Sequence, residues 1–396
     1  MSIDFHSAAQ ALLPEMSARR RDFHRHPELG FQEVRTAGLV AQELNHLGLE
    51  VTTGVGRTGV VGVLEGDRPG PTVLLRVDMD ALPITEANTT DYISATPGVM
   101  HACGHDGHTA IGLAVAKLLA PLRAQMAGAL KFVFQPAEEG LGGAEAMVKD
   151  GVLDRLGPAP ERSLALHLWN SQPLGWVGAT NGPAMAASER FSLTLTGRGG
   201  HGAIPHQTVD PVAAAAQVVS ALQTIVSRNI NALDSAVISV TMLKAGDAFN
   251  VIPETAQLGG TLRTFTPATR AIVLRRLEEI AVGIGRAMGC EPALETWRIT
   301  PATVNTAGMS AAVRELARAV PGVATVVDDE RTMGSEDMAF MMETIPGCYF
   351  FIGSADAEHG LNFAHHHPRF DFDERALVIG ADLMARAAAQ YVLPAA

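Results

Sequence analysis

The sequence predicts an α/β protein: a larger domain built on a mixed, mostly parallel sheet flanked by helices, with a smaller α+β insert. Three observations carry this. From Val60 to His167, short apolar strand-like runs alternate with helical ones, the pattern of a sheet covered by helices. Near Gly182 the character changes: F-S-L-T-L-T at 191–196 alternates with period two, as in a half-solvated antiparallel strand. From Ala307 the helix–strand alternation returns. At 396 residues the chain also exceeds one usual core. The expected division is 1–182 with 299–396 for the discontinuous larger domain, and 183–298 for the insert.

The elements follow in order. Ser7–Arg25 reads as a helix interrupted or restarted near Pro14 and ended by Pro27. Arg35–Leu47 carries Leu39, Val40, Leu44 and Leu47 on one face, with Gly48 as its C-cap. Strands are expected at Val60–Leu64, Thr72–Val77, Leu130–Phe134 and Leu164–His167, and helices at Ala110–Leu119 and Gly142–Lys149. The insert is expected to be a βαββαβ open sandwich. Its recognisable elements are strand Glu189–Gly197, helix Pro211–Arg228, strands Ala236–Met242 and Gln257–Phe265, and helix Pro267–Met288. Beyond Ala307 come a helix to Val320, strand Val323–Val327, helix Glu336–Glu343, strand Cys348–Ile352 and helix Glu374–Tyr391.

Composition excludes several classes. The net charge is −12, which argues against non-specific nucleic-acid binding and against an anionic membrane surface. Three cysteines (Cys103, Cys290, Cys348) cannot all pair, which points to a reducing compartment. The N-terminal M-S-I-D-F-H-S lacks a basic region followed by an apolar core, and no stretch gives the roughly 18 apolar residues of a membrane span. A soluble cytoplasmic protein is expected.

The chemistry gathers around M-H-A-C-G-H-D-G-H-T at 100–109. Cys103 and His105 alternate across a glycine, so one ion can reach both, and thiolate with imidazole suits zinc and its neighbours. The bland alternative is a polar loop with His108 as a helix-start residue. Polar residues also cluster where strands end: D-M-D at 78–80, Q-P-A-E-E-G at 135–140, and His167. In an α/β sheet, ligands sit outside the carboxyl ends of the strands. Of Glu138 and Glu139, one can bind a metal while the other faces a water as general base. One of Asp78 and Asp80 can orient a ligand histidine. A-H-H-H-P at 364–368 offers one further imidazole. F-H-R-H-P-E-L-G at 23–30 holds two histidines, but Arg25 and His26 before Pro27 read as a solvated turn rather than a metal site. Five ligands exceed one tetrahedral ion, and two ions about 3.5–4 Å apart would use them.

Over nearly its whole length the chain resembles the co-catalytic metallohydrolase family of aminoacylases and small carboxypeptidases. It is most similar to the amidohydrolase branch of hippurate and auxin-conjugate hydrolases. The matching segments include R-R-D-F-H-R-H-P-E-L-G-F-Q-E, D-M-D-A-L-P, M-H-A-C-G-H-D-G-H, F-Q-P-A-E-E-G, G-R-G-G-H-G-A-I-P-H, F-N-V-I-P-E, G-T-L-R-T-F, M-G-S-E-D-M and H-H-H-P-R-F-D-F-D-E. The resemblance implies Cys103, His105, Glu139, His167 and His366 as ligands of two divalent ions. Zinc is the first expectation, with manganese, nickel and cobalt as alternatives. It implies Glu138 as general base and Asp80 as the residue orienting a ligand. Other branches carry a ligand histidine where Asp78 stands here, so Asp78 is not expected to ligate. The insert resembles the family's dimerisation or lid domain. There His201, between two glycines, would stabilise the oxyanion, and Asn250 and Arg263 would hold the substrate.

The expected activity is metal-dependent amidohydrolysis of N-acyl amino acids, small-molecule substrates, by a homodimer or a tetramer. A dipeptidase or metallocarboxypeptidase of the same chemistry is the alternative. A non-catalytic metal-binding protein is a more distant one.

Overall fold

The computed structural model describes residues 3–394, so Met1 and Ser2 of the N-terminal reading lie outside the described residues. The chain forms two compact units. One holds the chain up to Ala184, Thr303–Arg331 and everything from Asp337. The other holds Met185–Ala302 and Thr332–Glu336. The last segment joins the second unit through the Ala186 amide, which donates to Gly334 O, and through a Met185–Thr332 bridge.

In chain order the elements are α1 (Phe5–Arg25), α2 (Val34–His46), β1 (Glu50–Val55), β2 (Gly59–Glu65), β3 (Arg68–Asp78), α3 (His105–Leu119), β4 (Ala127–Gln135), α4 (Gly143–Lys149), β5 (Arg162–Pro173) and β6 (Trp176–Gly178). They continue with β7 (Gly182–Met185), β8 (Ala187–Thr196), β9 (Gly200–His201), α5 (Pro211–Asn229), β10 (Ala236–Ala245), β11 (Val251–Ile252), β12 (Thr255–Thr264), α6 (Pro267–Ala287) and β13 (Glu291–Thr300). The chain closes with β14 (Thr303–Asn305), α7 (Ala307–Arg318), β15 (Thr325–Val327), α8 (Ala339–Met342), β16 (Gly347–Ala355) and α9 (Arg375–Val392).

The first unit is an eight-stranded mixed sheet in the order β1-β2-β4-β3-β5-β16-β6-β15. Its four central strands, β4, β3, β5 and β16, run parallel. They read as near-continuous apolar runs because helices flank the sheet, leaving little solvated face to alternate toward. In register, Asp78 lies opposite Gln135, Arg76 opposite Ala165, and His167 opposite Phe351. One edge of the sheet therefore receives D-M-D from β3, P-A-E-E from β4 and His167 from β5.

Two sequence expectations are corrected here. Helix α1 is not interrupted: it runs through Pro14 from an Asp4 cap, whose side chain accepts from Ser7 N at 3.0 Å. Packing of its buried face (Phe5, Ala9, Met16, Phe23) against α3 and α9 outweighs one missing hydrogen bond. Helix α3 begins at His105 rather than Ala110, after Gly104 in a left-handed conformation (φ 94°). Apolar periodicity could not show this, because the first turn buries polar residues.

That turn is tied to α1 by charge. Arg20, fully buried, donates to Asp106 Oδ2 (2.9 Å) and Asp371 Oδ1 (2.6 Å). Its guanidinium lies over the Phe372 ring at 4.4 Å. His24, next to that turn, is buried, with Nδ1 2.8 Å from Asp106 Oδ2 and Nε2 3.0 Å from Glu86 Oε1. Burial opposes its charged form, but bonds to two carboxylates outweigh burial and raise its pKa.

The second unit is a four-stranded antiparallel sheet, β10-β12-β8-β13, with α5 and α6. Phe191, Leu193 and Leu195 of β8 pack with Val218 and Leu222 of α5 and Val273 and Leu277 of α6. Asp210 caps α5, accepting from Val212 N at 2.8 Å, and Thr266 caps α6, accepting from Thr269 N at 3.1 Å.

Truncating Arg20 would leave the buried Asp371 without its cation and Asp106 with His24 alone. Arg20→Ala is expected to cost about 3–5 kcal/mol, read from the first unfolding transition in urea. A loss below about 1 kcal/mol would contradict the role given to this network.

Candidate metal centre

The edge of the first unit's sheet brings together three overlapping groups of side chains. Cys103, His105 and His167 place their ligand atoms within 4.8 Å of one another, and so do Cys103, Glu139 and His366, and His105, Glu138 and Glu139. Cys103 Sγ lies 3.5 Å from His167 Nε2, and His366 Nε2 lies 3.2 Å from Glu139 Oε1. The five residues expected as ligands and the expected base thus converge, with Cys103, His105 and Glu139 each belonging to two of these groups.

Each side chain is aimed by a neighbour. His105 donates from Nδ1 to Asp80 O (2.9 Å) and lies 3.2 Å from Asp80 Oδ1, which turns Nε2 away from Asp80. His167 donates from Nδ1 to Leu168 O at 2.7 Å, leaving Nε2 toward Cys103. Burial, reinforced by His108 and His365, holds the His167 pKa well below its ordinary value, so the ring is neutral. Asp80 also holds the loop after β4, where its Oδ2 accepts from Glu139 N at 3.0 Å.

Two non-glycine residues here adopt left-handed backbone, Ala137 (φ 53°) and His366 (φ 65°), each a strain of about 1–3 kcal/mol. Both are held by hydrogen bonds. Ala137 N donates to Glu33 Oε1 (2.8 Å) and His366 N to Ala102 O (2.7 Å). Glu33, fully buried, also accepts from Thr58, and burial raises its pKa. Sequence reasoning misses Glu33, because E-V-R-T looks like an ordinary solvated helix start.

The donor set fits divalent cations. His105 Nε2 is buried and has no hydrogen-bond partner. Burial first, then the Glu139 charge, pushes the Cys103 thiol well above its ordinary pKa, so it needs a cation beside it to ionise. Sulfur, imidazole and carboxylate together suit zinc and its neighbours.

Asp78 is engaged elsewhere. Its Oδ2 takes Arg76 Nη1 at 2.7 Å and its Oδ1 takes His108 Nδ1 at 2.6 Å. His108 lies in the first turn of α3, as a helix-start residue would, and is fully buried. His365 donates from Nε2 to Leu168 O at 2.9 Å, while burial lowers its pKa to about 4.

His201, Asn250 and Arg263 belong to the second unit. His201 pairs with Val251 across the β9–β11 ribbon, and Gly202 N donates to Asn250 O at 2.9 Å. A Cβ at Gly202 would come 3.1 Å from that oxygen, a tight approach that favours glycine. His201 Nδ1 accepts from Ala203 N at 3.0 Å, which puts the ring proton on an exposed Nε2. Arg263, on β12, is half-buried and donates to the Thr261 hydroxyl and to Leu262 O, and burial lowers its pKa.

The overlap of the groups gives a distinguishing expectation. His167→Ala and His366→Ala should each weaken one ion, by at least ~10-fold, and leave the other in place. Cys103→Ala should weaken both. Equilibrium dialysis of the metal-stripped chain against zinc would show it, and equal loss in all three variants would contradict the shared position of Cys103.

Residues 74–390 match the sequence profile of Peptidase family M20/M25/M40. The chain is 42% identical over 378 residues to YhaA of Bacillus subtilis strain 168, covering 95% of this chain and 94% of the relative. It is 38% identical over 370 residues to the N-acetylcysteine deacetylase of the same organism, covering 93% and 94%. The crystal structure of Bacillus subtilis YXEP, described as a dinuclear metal binding peptidase of the M20 family, superposes with a TM-score of 0.84 at 34% identity, covering 96% of this chain and 98% of that one. The chain belongs to peptidase family M20/M25/M40, a family of hydrolases.

Proposed function

We propose that the protein hydrolyses the amide bond of N-acyl amino acids, releasing a carboxylic acid and a free amino acid. The observation that carries this reading is the placement of Glu138 in a group with His105 and Glu139, beside two further groups that share Cys103. Glu138 would there serve as the general base that takes a proton from the attacking water, next to a ligand set large enough for two ions. Similarity to a deacetylase of an N-acetylated amino acid supports the acyl side of the reading.

Cys103, His105, Glu139, His167 and His366 would hold two divalent ions, zinc in preference to manganese, nickel or cobalt. Bound there, the ions supply Lewis acidity for the water and the scissile carbonyl. Glu138 takes a proton from the attacking water as its oxygen adds to the carbonyl carbon. It returns that proton to the amide nitrogen as the C–N bond breaks, so the amine leaves neutral. Asp80 keeps the His105 ring and the Glu139 backbone in place throughout. His201, with its proton on Nε2, is suited to donate to the carbonyl oxygen as charge builds there, and Asn250 on the same ribbon to fix the substrate. The Arg263 guanidinium is suited to a substrate carboxylate, which would give this acidic chain an anion-seeking group. A cytoplasmic homodimer completes the reading.

Dipeptide hydrolysis is the second reading, favoured by the peptidase character of the family. N-acetyl, N-benzoyl and N-aminoacyl forms of one amino acid, offered to metal-stripped enzyme reloaded with single metals, separate the two. Release from the acyl forms alone is expected; release from the dipeptide alone would replace the first reading by the second.

Glu138→Gln should lower kcat by about 10²–10⁴-fold with both ions still bound; retained turnover would remove Glu138 as the base. Arg263→Ala should raise KM at least ~10-fold with kcat little changed. An unchanged KM would take the carboxylate away from Arg263.

A further inference from the structure

His108 is fully buried and both its ring nitrogens are engaged. A backbone amide can only donate, and Leu168 N lies 2.9 Å from Nε2, so Nε2 accepts. The ring proton therefore sits on Nδ1 and is donated to Asp78 Oδ1 at 2.6 Å. The other Asp78 oxygen takes Arg76 Nη1 at 2.7 Å, and Thr109 Oγ1 donates to the Asp78 carbonyl at 2.9 Å. Asp78, His105 and His108 offer ligand atoms within 4.8 Å of one another, a spacing that could itself hold an ion. The hydrogen bonds close that option, since binding there would strip a buried peptide N–H or a buried carboxylate of its partner.

We propose that His108 is a positioning residue of the metal centre. It ties the end of β3 to β5, keeps the Asp78 carboxylate out of the ligand set, and fixes the peptide that aims His167. The backbone of Leu168 is the hinge of this arrangement. Its N–H is held by His108, and its carbonyl accepts from His167 Nδ1 (2.7 Å) and His365 Nε2 (2.9 Å). The His108 and His167 rings stand edge to face with centroids 4.6 Å apart. Asp78 Oδ2 lies 3.8 Å from His105 Nε2, so the carboxylate needs only a small swing to compete for an ion once His108 lets go. The inference rests on the two-ion reading of the centre.

The test titrates zinc into the metal-stripped full chain against a chelator and records the absorption spectrum of the Co(II)-loaded form, for wild type, His108→Leu and His108→Asn. His108→Leu removes the donor and the acceptor. His108→Asn keeps one of each, so its amide can donate to Asp78 and accept from Leu168 N. With unchanged far-UV circular dichroism, His108→Leu should weaken one ion by about 10–100-fold and alter the cobalt d–d bands. His108→Asn should restore affinity to within about threefold. Wild-type affinities and spectrum in His108→Leu would overturn the proposal. So would an asparagine variant as impaired as the leucine one, which would mean that the ring only fills space. Should His108→Leu not fold, Asp78→Asn decides: weakening of one ion supports the proposal, and unchanged affinities overturn it. A wild-type chain that takes up no ion would instead overturn the metal-centre reading, and this proposal with it.

Discussion

A thiol, several imidazoles and several carboxylates are gathered at the ends of parallel strands, and the constraint on the first unit is that each buried polar atom must be matched. An unmatched one costs roughly 1–3 kcal/mol. The solution is a shell of oriented acceptors: Asp80 for His105, the Leu168 carbonyl for His167 and His365, and Asp78 for His108. Each acceptor takes a ring proton on Nδ1 or, for His365, on Nε2. In His167 this leaves the Nε2 lone pair facing Cys103. Among the buried atoms without a hydrogen-bond partner is His105 Nε2, at a position a cation would satisfy.

The same shell explains the long-range ties. Asp106 follows His105 in sequence and lies in the first turn of α3, so Arg20 and His24 from α1 bear on the candidate centre through backbone rather than by touching it. Glu33, between α1 and α2, holds the left-handed Ala137 that turns Glu138 and Glu139 off β4. The family segments at 20–33 thus have a physical reason: they supply the buried charges that clamp two site-bearing loops.

Much of this was legible in the sequence. The alternation of strands and helices gave the mixed sheet, and the polar residues after β3, β4 and β5 marked the edge where the side chains meet. Choosing His366 among three adjacent histidines came from resemblance. The structure places His366 beside Glu139, sends His365 to Leu168 O and stacks His367 on Phe363. What failed was whatever depended on buried polarity. Apolar periodicity starts α3 five residues late, because His105, Asp106 and His108 point into a polar centre. Proline punctuation breaks α1 where tertiary packing keeps it whole. The partners of His24 and His108 are not legible because nothing local reveals a carboxylate 82 or 30 residues away. In the second unit the period-two strand was clear, and the glycines around His201 announced the tight ribbon they serve.

The central claim is that two ions share Cys103 while Asp78 and His108 stay bound to each other. Anomalous scattering from crystals of the zinc-loaded chain tests it most directly. The account predicts two peaks, one among Cys103, His105 and His167 and one among Cys103, Glu139 and His366. A single peak, or an ion held by Asp78 and His108, would contradict it.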